Sequence, residues 1–154
     1  MQPADRTTAR PTSRIPWDCL LDIMIATRTL VPVLISGTPD RALLVAMMIA
    51  ERSRNGNRGP VTVLPAARAE LIPTIHGAGP GHGSCQIIVL REIEALTRRQ
   101  QVQMIEMIQA GYRAAARPGW RLITTTSVSL VNRVGAGGFE PSLFYLLNAI
   151  HIMV

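Results

Sequence analysis

A chain of 154 residues, 47% of them hydrophobic, is long enough for one domain with a sizeable core, and no apolar run approaches the roughly 18 residues of a membrane-spanning helix. Its net charge of +6 comes from arginine alone, because the 16 basic residues include no Lys; Lys-dependent phosphate binding, Schiff-base chemistry and Lys general-base catalysis are therefore excluded. Basic charge favours an anionic partner, but the arginines are scattered and aromatics make up only 4%, which argues against a stacking platform for single-stranded nucleic acid.

Residues 1–14 carry Pro3, Pro11, Arg6, Arg10 and Arg14 among Thr and Ser with almost nothing to bury, and read as a mobile basic arm ahead of a domain over 15–154. The arm has no apolar leader region, so a cytoplasmic location is the default expectation. From Trp17 the spacing of Trp17, Leu20, Leu21, Met24 and Ile25 predicts an amphipathic helix packing that stripe on a sheet. Val31 to Ser36 reads as a strand, followed by the turn Gly37-Thr38-Pro39-Asp40 and a helix over 39–54. Thr38 is the expected N-cap, Pro39 the first helical residue and Asp40 the acid that complements the dipole.

A strand feeding a helix through a glycine turn is the scaffold of a phosphate site. Gly37 is its only glycine, however, and Ala42 and Leu43 stand where a P-loop requires Lys and Ser/Thr. Val61 to Leu64 is a short strand and 66–72 a short helix. The glycine-rich loop from His76 to Ser84 brings His76, His82 and Cys85 into one stretch, but without the paired spacing of a metal site they read as solvent-facing histidines and a structural thiol. Cys19 and Cys85 form no CxxC and are expected to be reduced. QIIVL at 86–90 is a strand covered on both faces. A helix over 95–110 follows, with Val102, Met104, Ile105 and Ile108 on its inward side and Gly111 as its stop. Trp120 to Thr126 is a further strand, 142–147 a helix and 149–153 a last strand. The alternation predicts a three-layer α/β/α fold with a mostly parallel five-stranded sheet and its ligand crevice at the carboxyl ends of the strands.

These pieces, in this order, resemble the AAA+ ATPase domain of sigma-54-dependent bacterial transcriptional activators. Val33-Leu34-Ile35-Ser36-Gly37 and Leu44-Val45-Ala46 resemble that family's VLI-G-E-x-G-T-G-K-E-L-V-A stretch. Arg58-Gly59-Pro60, with Val63 to Ala67, resembles its R-x-G-P and V-N-C-A-A segment. Ile88-Val89-Leu90-Arg91-Glu92-Ile93 and Leu96 resemble its L-F-L-D-E-I-x-x-L Walker B strand. Gln101 to Gly111 resembles its L-Q-x-x-L-L-R-V-L-Q-E-G helix, Arg121 to Ser127 its R-I-I-A-A-T-N sensor strand, and Gly137 to Ile150 its G-R-F-R-x-D-L-Y-Y-R-L-N-V-I segment.

The resemblance implies a P-loop NTPase-like fold and a vestigial nucleotide pocket formed by Gly37, Thr38, Asp40, Arg41, Ala42, Leu43, Arg91, Glu92 and Ser127. The Walker A Lys corresponds to Ala42, the Walker B Asp to Arg91 and the sensor Asn to Ser127; Glu92 remains as the catalytic acid's remnant. The arginine fingers correspond to Gly138 and Glu140, and a third family Arg to Leu146. The GAFTGA loop, the helical lid and the helix-turn-helix have no counterpart. The expectation is a pseudo-ATPase without ATP turnover and without a metal or cofactor, ATP and Mg²⁺ binding only weakly if at all. Its partners would be a sigma factor or an intact activator paralogue. Alternatives are a residual ATP/ADP-binding protein in sigma-54-dependent regulation and a basic module contacting nucleic acid through its arm. An internal Asp40–Arg91 ion pair, direct or through water, is expected to occupy the vacant site.

Overall fold

The computed structural model describes residues 17–54, 60–71, 85–114 and 119–154. The basic arm and the His76 to Ser84 loop lie outside the described residues. Five strands, β1 (Val33–Ser36), β2 (Val61–Pro65), β3 (Gln86–Arg91), β4 (Trp120–Thr126) and β5 (Ile150–Met153), form one sheet in the order β2-β3-β4-β1-β5. Every pairing is parallel. The central strands are β-branched and apolar because both of their faces are covered: β3 and β4 are buried almost throughout. β1 begins at Val33, two residues later than the sequence predicts, after Pro32, which has no N–H to give a ladder.

One layer holds helices α1 (Leu20–Arg28) and α2 (Pro39–Arg54). Their core with the sheet contains Ile23, Ala26, Val33, Ile35, Ala42, Val45, Ile49, Val89, Ile123 and Ile152. The other layer holds α3 (Arg98–Ala114), α4 (Leu130–Gly135) and α5 (Pro141–Leu147). Its core joins Leu34, Ile88, Leu90 and Leu122 of the sheet to Met104, Ile108, Phe139, Leu143 and Leu147. The period of two along β1 is visible in this division, with Val33 and Ile35 facing one layer and Leu34 the other.

Four expectations are corrected. Val102 of α3, expected on the inward side with Met104 and Ile108, is 42% exposed. In α1 the buried residues are Ile23 and Ala26, with Cys19 of the preceding 3₁₀ turn, whereas Leu21, Met24 and Ile25 are 66%, 51% and 45% exposed. The helix turns its narrower face inward, the Cys19 thiol donating to the Met153 carbonyl at 2.8 Å, so the longer stripe faces solvent. Gly111 does not stop α3, which runs on to Ala114; its missing side chain makes room for the Trp120 indole, which would lie 2.8 Å from a Cβ there. The sequence reading also leaves out α4, a short helix capped by the Ser129 hydroxyl, which accepts from the Asn132 N–H at 3.3 Å.

α3 starts with a capping box. The Gln100 N–H donates to the Thr97 hydroxyl at 3.3 Å and the Thr97 N–H donates to the Gln100 side-chain carbonyl at 2.9 Å. Next to it, buried Gln101 donates to the Leu96 and Gly138 carbonyls and accepts from the Glu140 N–H at 2.7 Å, tying the start of α3 to the start of α5. An Arg98–Glu140 ion pair at 2.6 Å covers the same junction.

Candidate functional site

The residues singled out in the sequence fall in a row along the carboxyl edge of the sheet, where an open parallel sheet places its ligands. β1 ends at Ser36 opposite Thr126 of β4 and Met153 of β5, while β3 ends at Arg91 opposite Pro65. Between β1 and α2 only Gly37 and Thr38 intervene. The Gly37 N–H donates to the Thr126 carbonyl at 3.0 Å, and Val154, whose N–H donates to the Ser36 carbonyl at 2.9 Å, packs on Gly37 so closely that a Cβ there would meet its carbonyl oxygen at 2.4 Å. The glycine is therefore required by close approach of a neighbouring strand end.

Thr38 occupies the N-cap position, its carbonyl accepting from the Ala42 N–H at 2.9 Å, and Pro39 opens the helix as its spacing predicts. Among the described residues the Thr38 hydroxyl makes no capping hydrogen bond. Asp40 and Arg41 are exposed. Ala42 is fully buried in the core beneath the sheet and Leu43 packs against the same cluster. Both side chains thus point away from the crevice edge.

At the end of β3, Arg91 is half-buried and Glu92 exposed. Glu92 has φ 55° and ψ 57°, a left-handed conformation uncommon for a residue with a side chain. Its N–H donates to the Thr125 hydroxyl at 3.2 Å. Two residues further on, Glu94 reaches across to the residue that follows β4: its Oε1 accepts from the Ser127 N–H at 3.1 Å and from the Ser127 hydroxyl at 2.8 Å. Burial pushes the Glu94 carboxyl up, but hydrogen bonds from its own backbone, from Ser127 and from Thr126 outweigh burial and hold it below the usual carboxylate range. Glu94 was not singled out from the sequence. The signal available there is an acid two residues beyond Glu92, on a segment too short to show a period.

The structure brings Glu92, Thr125 and Ser127 together through the β3–β4 pairing, and Gly37 joins them through Thr126. It does not bring Asp40 to Arg91: no ion pair joins them among the described residues, where Arg98 pairs with Glu140. β4 lies between β1 and β3, so the two strand ends stand two spacings, about 9–10 Å, apart. Among the described residues no group of three His, Cys, Asp or Glu is placed to hold a metal ion, and the thiols of Cys19 and Cys85 are both buried. No helix among them is long and apolar enough to cross a membrane.

The family model described as the sigma-54 interaction domain matches residues 28–154. No curated protein matches the sequence significantly. Among solved structures, the P-loop NTPase domain of the sigma-54 transport activator from E. coli is 21% identical with a TM-score of 0.59, over 82% of this chain and 98% of its own. NtrX from Brucella abortus, in a structure with ATP, is 20% identical with a TM-score of 0.66; 87% of this chain is covered, but only 35% of NtrX. The RuvB Holliday junction branch migration motor of Thermotoga maritima is 16% identical with a TM-score of 0.61, over 87% of this chain and 42% of its own. Such identities speak for the fold, a P-loop NTPase fold. With one family model matched from residue 28 to residue 154 and a five-stranded parallel sheet between two helical layers, this chain belongs to the sigma-54 interaction domain family, as an AAA+ α/β/α core.

Proposed function

We propose that this chain is a sigma-54 activator-like AAA+ module that does not turn over ATP and acts as a regulatory or interaction part in sigma-54-dependent transcription. The observation that supports this reading is the β1–α2 turn. It is two residues long, its glycine N–H is held by the Thr126 carbonyl, the helix that follows opens on Pro39, which has no N–H, and the residue matched to the family's Lys is a buried alanine. Phosphoryl transfer depends on a backbone cradle, a cation on the terminal phosphates and a held Mg²⁺. At the matched positions this chain offers Ala42, Leu43 and, for the Mg²⁺-holding acid, the cation Arg91. Ser127, matched to the sensor Asn, is occupied by Glu94.

ATP hydrolysis by the purified protein, measured beside a Glu92→Ala variant, tests the proposal: equal rates, at the level of the uncatalysed reaction, are expected, and turnover above the variant would overturn it. NtrX has been crystallised with ATP, so nucleotide binding without turnover is the nearest rival. Titration with labelled ATP and ADP separates the two, with no saturable binding expected at millimolar concentration. The interaction half of the proposal predicts capture of a sigma factor or of an intact activator, and failure to retain either would remove it.

A further inference from the structure

A pocket of about 350 Å³ opens at the carboxyl ends of β1, β4 and β5. It lies on the face of the sheet opposite α2, because its floor is Leu34, whose side chain belongs to the core on the α3–α5 side. Of the residues expected in the nucleotide crevice, only Gly37 and Ser127 line it. Leu34, Leu130, Phe144 and Met153 give it apolar walls, and no Arg, Asp or Glu is among its lining residues.

Its polar handle is a pair. Ser36 Oγ and His151 Nε2 lie 2.7 Å apart, joined by a hydrogen bond between β1 and β5. The parallel register that sets Leu34 beside His151 and Ser36 beside Met153 puts all four on one face of the sheet. Partial burial holds the imidazole below the usual histidine value, so at neutral pH the pair brings no charge into the pocket.

We infer that this pocket binds a small, uncharged, largely apolar ligand carrying one hydroxyl group, with Ser36 and His151 hydrogen-bonding that group and Phe144 against its apolar body. An apolar cavity with a few convergent polar groups is the usual form of a small-molecule site, and about 350 Å³ is at the small end of the range, suited to a single ring. An anionic ligand finds no countercharge among the lining residues to offset the water it would give up there. A phosphate finds the Gly37 N–H already donated to Thr126.

The test uses the isotopically labelled full chain, titrated with phenol, toluene and benzoate while the His151 imidazole and the Phe144 ring are followed by NMR. Phenol is expected to bind saturably and shift both side chains, toluene to bind about fivefold more weakly for want of the hydroxyl, and benzoate not to bind. Ser36→Ala should bring the phenol and toluene affinities to within about twofold of each other while leaving toluene unchanged. No shift with phenol, equal affinities for phenol and toluene on the unaltered protein, or benzoate binding as tightly as phenol would each overturn the inference. The phenol-to-toluene ratio on the unaltered protein decides the matter whether or not Ser36→Ala folds. None of these results bears on ATP turnover, which is read separately.

Discussion

The two ends of β4 use polar chemistry in opposite ways. At the amino end Arg121 is 1% exposed, and its guanidinium donates to the Ser53 hydroxyl and to the Ala26 carbonyl. It thereby ties α2 to the last turn of α1, where a cation also suits the helix dipole. Burial pushes this guanidinium down to about 10, so it is still charged at neutral pH, with one N–H, on Nε, unpartnered. At the carboxyl end the groups are Thr125, Thr126 and Ser127, neutral hydroxyls of which Thr125 accepts from the Glu92 N–H, Thr126 donates to the Val128 carbonyl and Ser127 donates to the Glu94 carboxylate. The strand's one cation holds the framework together, and its open end, where a nucleotide site would want charge, carries none. That contrast teaches that in this chain polar groups are invested in architecture at both ends.

The largest effect expected from breaking the contrast is at the amino end. Arg121→Ala leaves the Ala26 carbonyl and the Ser53 hydroxyl without their donor and opens a cavity, at a cost of about 3–5 kcal/mol measured by urea unfolding. Arg121→Met, which keeps the volume and loses the donors, should cost about 2 kcal/mol less than the alanine variant. Near-equal costs would assign the arginine's contribution to hydrogen bonding rather than packing.

Ala42→Lys probes the carboxyl end by restoring the family's residue. Because Ala42 is fully buried among Val45, Ala46 and Ile35, the substitution should destabilise by at least about 2 kcal/mol and confer no ATP turnover. A stable, hydrolysing variant would show instead that the missing Lys alone separates this chain from turnover.

Glu94→Gln weakens the bridge between the β3 and β4 ends by about 1 kcal/mol. The same bridge gives a pH signature. Since the folded carboxyl lies below its ordinary value, its contribution is complete above that ordinary value, near pH 4.5, and is lost as the pH falls through the lower folded value. The carboxyl is partly solvated, so the acid loss is small, and it should be absent from Glu94→Gln when midpoints of chemical unfolding are compared. The smallest effect is a gain: Glu92→Gly relieves the left-handed conformation at φ 55° and should stabilise by about 1 kcal/mol.

The sequence showed the frame more readily than the site. The five strands and their alternation with helices along the chain were legible because β3 and β4 are continuous apolar or β-branched runs bounded by turn residues, and because Pro39 marks a helix start by its own chemistry. The face of α1 was misread because an apolar stripe shows which residues can be buried, whereas the approach of α1 to α2 and β5 decides which are. Gly111 was misread for a related reason: a glycine that ends a helix and one that admits an indole look alike until the packing partner, Trp120, is placed. Thr97 and Gln100 do spell a capping box in sequence, and it fixes the start of α3 at Arg98 where apolar periodicity alone set it at 95. Glu94–Ser127 and Ser36–His151 join residues 33 and 115 apart, and no local pattern encodes contacts of that range.

The strand order has a consequence for how the chain acquires its structure. β1 is laid down early yet is flanked in the finished sheet by β4 and β5, with Ser36 set against Thr126 and Met153. During synthesis its partner strands, β4 and β5, emerge only about ninety residues or more later, and in the interval only α1 and α2 can shelter its apolar face. Closure of such distant pairings gives a high contact order and slow folding, on the order of milliseconds to seconds, with the unpaired edges of β1 exposed to other chains in the interval. Aggregation on rapid refolding is therefore the expected cost of the position of the first strand.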